Sequence, residues 1–468
     1  MIGYFLSLSF GFNIYLNATI AFLGCYLYFF YKIEFNIISL KKIFIYFLLF
    51  FSLLLISKTH EDFTGYHIQS INEIFYNKLI FGVENINAAH ISLLSYVQAL
   101  YFLPIFDSKL IHIPVFLIYI STLGYFYLIL KNQNLKKEET FFACFIIFVL
   151  IIKFARLSEY GYDYIAQFII LIVFHKLFFQ NDSIAQFYKA IIFFAYAASM
   201  KIISLVAFPL IILGLNKKLL QNISYKSIFI IFVIGSVLTF NSFVRTGCLF
   251  YPVNITCLDK NTVSWSVKKE IKNHANIVKL WAKGFMAQDK TSKDFIADPE
   301  KYLSNFNWLS NWIGVHFFYK VYEYLLILIF VYFLLLYSLK EKIILINLNI
   351  KNILTILLSG FATFAWLNTA PQFRFGFASI TVLSFFILNS LVATNININK
   401  KIFSYLLIIL DIFFNGRNIS RIMKEISRED LYQYKNFPWI NKNILEKKFS
   451  YKENDVVDKR FYKIIQNK

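Results

Sequence analysis

The sequence predicts an all-α polytopic membrane protein with about 11–12 transmembrane helices, because many of its apolar runs approach the length that crosses a bilayer. Composition supports this class: 58% of the residues are hydrophobic and only 16% are charged. Soluble domains have about 25% charged residues, so this chain could not cover its surface in water. The apolar runs are continuous and lack the alternation of membrane barrel strands. A helical membrane protein is the class that remains.

The candidate spans begin at the N-terminus, where the first run has no charged start and no small-residue cleavage site and is therefore predicted to be retained. Lys201 splits one apolar stretch into a pair. In chain order the candidate spans are Tyr4–Tyr31, Ile43–Ile56, Leu110–Leu130, Phe141–Ile152, Ile165–Phe179, Tyr188–Ser199, Ile202–Leu215, Ser227–Phe243, Val321–Leu339, Ile353–Thr369, Phe375–Thr394 and Ile402–Phe414.

Basic residues predict the orientation of these spans. With Met1 outside, lysine pairs such as Lys136-Lys137 and Lys400-Lys401 fall in inside links, as the positive-inside rule requires. The net charge of +20 is therefore assigned to topology, and no nucleic-acid partner is expected. Residues 1–414 are predicted to form a transmembrane domain with outside loops at 58–109 and 244–318, followed by a polar tail at 415–468. The stretch Ile91–Phe106 is predicted to lie on the membrane surface.

Two cysteines in the second outside loop predict a disulfide. Cys248 and Cys257 lie nine residues apart, and an oxidising compartment outside the cytoplasm permits the bond. A zinc site is the alternative, but it would need a second pair of ligands nearby.

Acidic side chains at two predicted outer boundaries are the candidate catalytic residues. Glu61 and Asp62 follow the second span, and Glu159 and Asp163 lie four apart before Ile165–Phe179, a spacing that shares one helical face. A carboxylate such as Asp62 can take a proton from an acceptor hydroxyl or hold a divalent cation. No other cofactor is indicated. Solvation at the membrane interface is the alternative for these acids.

Four other side chains are candidates for binding a phosphate. Placing Lys201 at the centre of a continuous span would cost roughly 2.5–3.5 kcal/mol, so the helix is predicted to break and bring Lys201 to the outer face. The planar guanidinium of Arg374, in an outer turn, suits a phosphate ester. Arg245 and His67 are weaker candidates. A lysine that snorkels to the interface is the alternative for Lys201. Loop tryptophans that could stack on a sugar or anchor the interface are Trp265, Trp281, Trp308 and Trp312.

In this topology the acids and cations share one face, which suits group transfer from a lipid phosphate. Cations stabilise the charge of the leaving phosphate, and a carboxylate removes the acceptor proton. The sequence has no P-loop, which argues against an ATP-driven pump. A site outside the cytoplasm would lack nucleotide sugars, so a lipid-linked donor is favoured.

Several motifs resemble an uncharacterised bacterial membrane protein family that is placed beside the GT-C type membrane glycosyltransferases. The acid in the first outside loop, the short spans, the surface stretch before the third span and the lysine at a broken span also resemble GT-C enzymes. The motifs are Asp62 with Tyr66-His67, Phe81-Gly82-Val83-Glu84-Asn85-Ile86-Asn87, Gly161-Tyr162-Asp163, Thr246-Gly247-Cys248-Leu249-Phe250-Tyr251-Pro252 and Ala370-Pro371-Gln372-Phe373-Arg374-Phe375-Gly376.

The resemblance implies a GT-C-like fold in the bacterial inner membrane, with an active site facing the periplasm. It implies a polyprenyl-phosphate sugar donor, a glycan or lipid acceptor, inversion at the anomeric centre and a role in cell-envelope polysaccharide synthesis. The first-loop acid of these enzymes would correspond to Asp62, with Glu61 as its neighbour, and the second-loop acid to Asp163 or Glu159.

Two other functions stay open from the sequence. An O-antigen polymerase or ligase also works outside on lipid-linked glycans and would depend on an arginine such as Arg245. A transporter or lipid flippase would place ionisable residues near the middle of the membrane and would show inverted repeats, of which the sequence gives no convincing sign.

Overall fold

Long apolar helices dominate the part of the chain that the structure, a computed structural model, describes. That part comprises residues 12–30, 49–50, 67–76, 81–82, 92–104, 110–131, 136–154, 162–180, 183–215, 225–285, 299–338, 343–345, 349–394 and 400–426. The protein is thus a helical, multi-pass membrane protein, as the sequence predicts.

The first half of the chain contains α1 (Ile14–Phe30), α2 (Ile68–Tyr76), α3 (Leu93–Ala99), α4 (Ile113–Lys131), α5 (Lys137–Lys153), α6 (Asp163–Phe179), α7 (Ile184–Met200), the 3-10 helix Ile202–Gly214 and α8 (Tyr225–Thr246). At seven residues, α3 is too short to cross a bilayer. This agrees with the prediction that Ile91–Phe106 does not span.

The second half begins with a loop segment that carries a short 3-10 turn, Asn254–Thr256, and α9 (Lys268–Ala282). It continues with α10 (Pro299–Leu303), α11 (Leu309–Trp312), the π-helix Ile313–Tyr322, α12 (Glu323–Ser338), α13 (Ile350–Thr369), α14 (Phe373–Leu391) and α15 (Lys400–Ile426). Two short strands, β1 (Ile343–Leu345) and β2 (Val392–Thr394), pair antiparallel with Ile343 opposite Thr394.

Six helical segments in the described residues are long and apolar enough to cross a membrane. They are Ile113–Lys131, Tyr225–Thr246, Leu309–Tyr337, Ile350–Thr369, Phe373–Leu391 and Ile402–Arg421. Shorter apolar helices are Ile14–Gly24, Ile184–Met200 and Ile202–Gly214. Most of the candidate span Ile43–Ile56 lies outside the described residues.

Three boundaries test the sequence interpretation. The break at Lys201 is confirmed: α7 ends at Met200, and Lys201 is extended, with φ −147° and ψ 112°. Two other boundaries were wrong. The helix predicted at Val321–Leu339 already begins at Leu309, and α15 continues past Phe414 to Ile426. The extension after Phe414 is polar, whereas the one from Leu309 is largely apolar but carries polar residues such as Asn311 and His316. Because a helix satisfies its own backbone hydrogen bonds, it does not have to end where the apolar run ends.

The helices α5 and α6 lie in the centre of the bundle. Both are apolar on nearly every side, which is typical of a helix surrounded by protein, and nearly all α6 side chains are buried. Aromatic rings fill the space around them. Phe142 of α5 contacts Phe174 of α6 and Phe385 of α14, with ring centroids 5.4 Å and 5.0 Å apart.

The length of α6 separates two polar clusters. Asp163 is the first residue of the helix and His175, which contacts Glu139 of α5, lies in its last part. At 1.5 Å per residue the two are about 18 Å apart along the helix. The corresponding ends of the bundle are called here the Asp163 end and the Glu139 end.

Gly376, in the first turns of α14, allows α13 and α14 to pack closely. A Cβ atom there would lie 2.6 Å from the Trp366 indole, and that ring is held by a 2.8 Å hydrogen bond from its Nε1 to the Gln372 carbonyl. Gly376→Ala should therefore lower stability by about 1–3 kcal/mol, measured as a lower melting temperature of the purified protein in detergent.

Gly360→Ala on α13 is the matched control. The nearest atom to its added Cβ would be Leu383 Cδ1 at 4.0 Å, so the melting temperature should stay the same or rise slightly because alanine favours helix. Equal melting temperatures for wild type and Gly376→Ala would contradict the packing described.

Candidate functional site at the Asp163 end

Asp163 is a fully buried carboxylate that contacts two cations from different parts of the chain. Lys201 Nζ lies 2.9 Å from Asp163 Oδ1, and Arg374 Nε lies 3.1 Å from Asp163 Oδ2. The Asp163 side chain is 0% exposed, whereas that of Lys201 is 16% exposed. An unpaired carboxylate would be very costly here, so the two cations compensate a charge that the fold has buried.

Three local breaks in helical structure bring these side chains together. Asp163 opens α6 directly after Tyr162, Lys201 occupies the extended residue between α7 and the 3-10 helix, and Arg374 is the second residue of α14. The N-terminus of a helix favours an acid such as Asp163. It disfavours a cation such as Arg374, and the contact with Asp163 offsets that effect.

Aromatic rings surround the two cations. Lys201 Nζ lies 5.4 Å from the Tyr162 ring and 5.3 Å from the Phe375 ring, within the range of a cation–π contact. His67 packs edge-on against Tyr162 with ring centroids 4.4 Å apart. His67 is buried, so this candidate is brought to the edge of the cluster.

The loop segment after α8 contributes to the same site. The Arg374 guanidinium lies 5.5 Å from the Trp281 ring of α9. Nearby, Gln372 Nε2 donates to the Ala282 carbonyl at 3.4 Å and lies 3.1 Å from His316 Nε2. The end of α9 is therefore held against the turn that carries Arg374.

Arg245 lies in a separate ion pair. Its Nη2 is 2.6 Å from Glu73 Oε2, which joins the last turn of α8 to α2. Both residues are partly or fully buried, and the glutamate compensates the arginine charge. Disulfide formation is confirmed by the structure, in which Cys248 and Cys257 are bonded.

Three of the predicted catalytic acids, Glu61, Asp62 and Glu159, lie outside the described residues, so their roles stay predictions. Of the candidates within the described part, the structure brings Asp163, Lys201 and Arg374 into contact. No group of three or more His, Cys, Asp or Glu side chains suited to a metal occurs within those described ranges. The divalent cation proposed for Asp62 is untested by this.

The sequence interpretation missed the polar cluster at the Glu139 end. His175 Nε2 lies 3.0 Å from Glu139 Oε1, and the Tyr125 hydroxyl lies 2.7 Å from His175 Nδ1. Beside them, the Asn389 amide donates to Glu138 Oε1 at 2.8 Å. A histidine inside an apolar helix, following a Glu-Glu pair on the preceding helix, was the signal that could have indicated this contact.

Burial also changes two groups of the loop segment near Trp281. It lowers the pKa of His274 to about 4, so this side chain is neutral at neutral pH. Burial, with the neighbouring charge of Lys279, lowers the pKa of Lys283, whose Nζ lies 4.3 Å from the Trp308 ring. The segment beside Arg374 is thus packed and partly shielded from water.

The comparison with known protein families covers the whole site. A family described as a domain of unknown function, DUF8201, matches residues 1–381. The chain belongs to the DUF8201 family. Asp163, Lys201 and Arg374 all fall within the matched residues. No curated protein and no solved structure matches this DUF8201 protein.

Asp163→Asn tests the ion-pair cluster in this DUF8201 protein. Removing one partner of a buried pair typically costs about 3–5 kcal/mol, because the remaining charges lose their compensation. We expect a correspondingly lower melting temperature for the purified protein. Glu270→Gln is the control, since it breaks only the more exposed Lys260–Glu270 pair, and such pairs contribute about 0–1 kcal/mol.

A double-mutant cycle tests whether the stability lost in Asp163→Asn arises from its ion pair with Lys201. Because Lys201→Gln removes one of the uncompensated cations, Asp163→Asn/Lys201→Gln should lose less stability than the two single variants together. Strict additivity of the two losses would contradict the coupling of Asp163 and Lys201.

Proposed function

We propose that this protein is a membrane glycosyltransferase at the periplasmic face of the bacterial inner membrane. In this proposal it transfers a sugar from a polyprenyl-phosphate donor to a glycan or lipid acceptor during envelope polysaccharide or glycolipid synthesis. The observation that carries the proposal is the contact of Lys201 and Arg374 with one buried carboxylate at an end of the helix bundle.

The charge of this cluster suits an anionic ligand. One carboxylate and two cations leave one positive charge, and Lys201 is partly exposed. The Arg374 guanidinium engages Asp163 through Nε, and a planar guanidinium is the side chain that best matches the geometry of phosphate oxygens. A lipid phosphate at the edge of the bilayer is the ligand that this position favours.

The proposed reaction divides the work between the described cluster and the first outside loop. The acceptor hydroxyl oxygen bonds to the anomeric carbon while the bond between that carbon and the phosphate oxygen breaks. The hydroxyl proton passes to Asp62, the proposed base, and Lys201 and Arg374 stabilise the departing phosphate. Asp163 is a positioning residue, since it holds both cations and is itself buried.

Two features support a periplasmic location of the Asp163 end. The Cys248–Cys257 disulfide belongs to the loop segment whose α9 contacts Arg374, and such bonds persist in oxidising compartments. Lysines at helix termini of the opposite end, such as Lys131, Lys137 and Lys176, agree with a cytoplasmic Glu139 end.

The alternatives have less support. A polymerase or ligase that depends on Arg245 would need an arginine available to the substrate, whereas Arg245 is paired with Glu73 at 2.6 Å. A transporter favours ionisable residues near the bilayer midplane, whereas the acids and cations of α6 lie towards its two termini.

Lys201→Ala and Arg374→Ala should each reduce sugar transfer. Loss of one group that stabilises developing charge typically costs about 10²–10³-fold in rate. The missing envelope glycan is first identified in a deletion strain, and transfer is then measured in membranes that contain each variant at equal abundance. Asp62→Asn should abolish transfer in the same assay.

Lys260→Ala is the matched control, because Lys260 pairs with Glu270 and its side chain is 42% exposed. This variant should transfer sugar at the wild-type rate. Unchanged transfer by both Lys201→Ala and Arg374→Ala would overturn the proposed site. Solute flux in proteoliposomes without any glycosyl transfer would overturn the proposed activity.

A further inference from the structure

The loop closed by the Cys248–Cys257 disulfide exposes apolar side chains at its surface. The residues between the two cysteines include none that is charged. Ile255 is 92% exposed and Phe250 51% exposed, and Leu249 and Val253 are exposed as well. Exposed apolar side chains that adjoin one another mark a surface that contacts another apolar phase.

This apolar surface is held in a fixed shape. The disulfide joins its two ends, and the Leu249 N–H donates to the Thr256 carbonyl at 3.0 Å. Tyr251 and both cysteines turn inward and pack on Ile271 of α9. The loop therefore does not need to fold before its outward side chains contact a partner.

Charged side chains follow the apolar loop directly in the sequence. Lys260 pairs with Glu270 at 2.9 Å, and Lys268 pairs with Asp259 at 3.0 Å. Between residues 259 and 283 there are six lysines and two acids. An uncharged apolar tip with a basic segment behind it matches the acyl region and the anionic headgroups of a bilayer surface.

The loop also continues the exposed apolar surface of a candidate membrane span. It directly follows α8, a candidate membrane span. That helix exposes Phe229, Phe232 and Phe240 along its length, as expected for a helix bordered by acyl chains.

We propose that the loop 248–257 inserts Leu249, Phe250, Val253 and Ile255 into the bilayer leaflet at the Asp163 end. The occupant of this apolar surface is membrane lipid. Because the loop packs on Ile271 at one part of α9, and Trp281 near the other end of α9 lies over Arg374, insertion anchors the segment that covers the cation cluster. This anchoring does not depend on which reaction the cluster performs.

The test places an environment-sensitive fluorescent amino acid at Ile255, and separately at Val253, in the full chain. The protein is reconstituted in nanodiscs of phosphatidylethanolamine and phosphatidylglycerol, with and without doxyl-labelled lipids. We expect doxyl lipids to remove most of the fluorescence at both positions, and aqueous iodide to have little effect.

Asn261, which is exposed in the charged stretch after the loop, is the matched control and should show the opposite pattern. Quenching of the Ile255 and Val253 labels by iodide and not by doxyl lipid would overturn the proposal. A photoreactive amino acid at Ile255 should cross-link to lipid; a cross-linked dimer of this chain in its place would show that a second copy covers the loop, and would overturn it too.

Discussion

The fold at the Asp163 end depends on the compensation of one buried carboxylate. An isolated charge in this position would cost several kcal/mol, and the two cations that offset this cost come from the α7 break and from the start of α14. The ion pairs therefore fix the relative positions of three segments that are distant in the sequence. They also place Arg374 at a helix N-terminus, where the helix dipole disfavours a cation. One carboxylate and two cations leave this cluster with one positive charge.

Much of this architecture could be predicted from the sequence because membrane crossing imposes a simple length and composition rule. The cost of burying Lys201 predicted the helix break, and the cysteine spacing predicted the disulfide. The start of the helix at Leu309 was not predictable, because polar residues such as Asn311 and His316 interrupt the apolar pattern while the backbone continues. The contact of Asp163 with Arg374 was missed as a specific pair, since a shared membrane face does not determine which side chains touch.

The polar clusters of the bundle lie at its two ends, and the region between them is apolar. Along α6 the apolar middle packs against rings such as Phe142 and Phe386, and charge is confined to the termini. The Glu139–His175–Tyr125 contacts join α4, α5 and α6 at one end. At the other end Arg374 contacts Trp281 of α9, and the disulfide loop, which packs on Ile271 of the same helix, exposes apolar side chains.

The proposed role of Lys201 and Arg374, held by Asp163, is to bind the phosphate of a polyprenyl lipid. A cryo-EM structure of the full chain in nanodiscs with a polyprenyl phosphate examines this role. We expect phosphate density within hydrogen-bond distance of Lys201 Nζ and the Arg374 guanidinium, with both cations still paired to Asp163. Phosphate bound away from both cations, or cations that have separated from Asp163 in the apo protein, would contradict it.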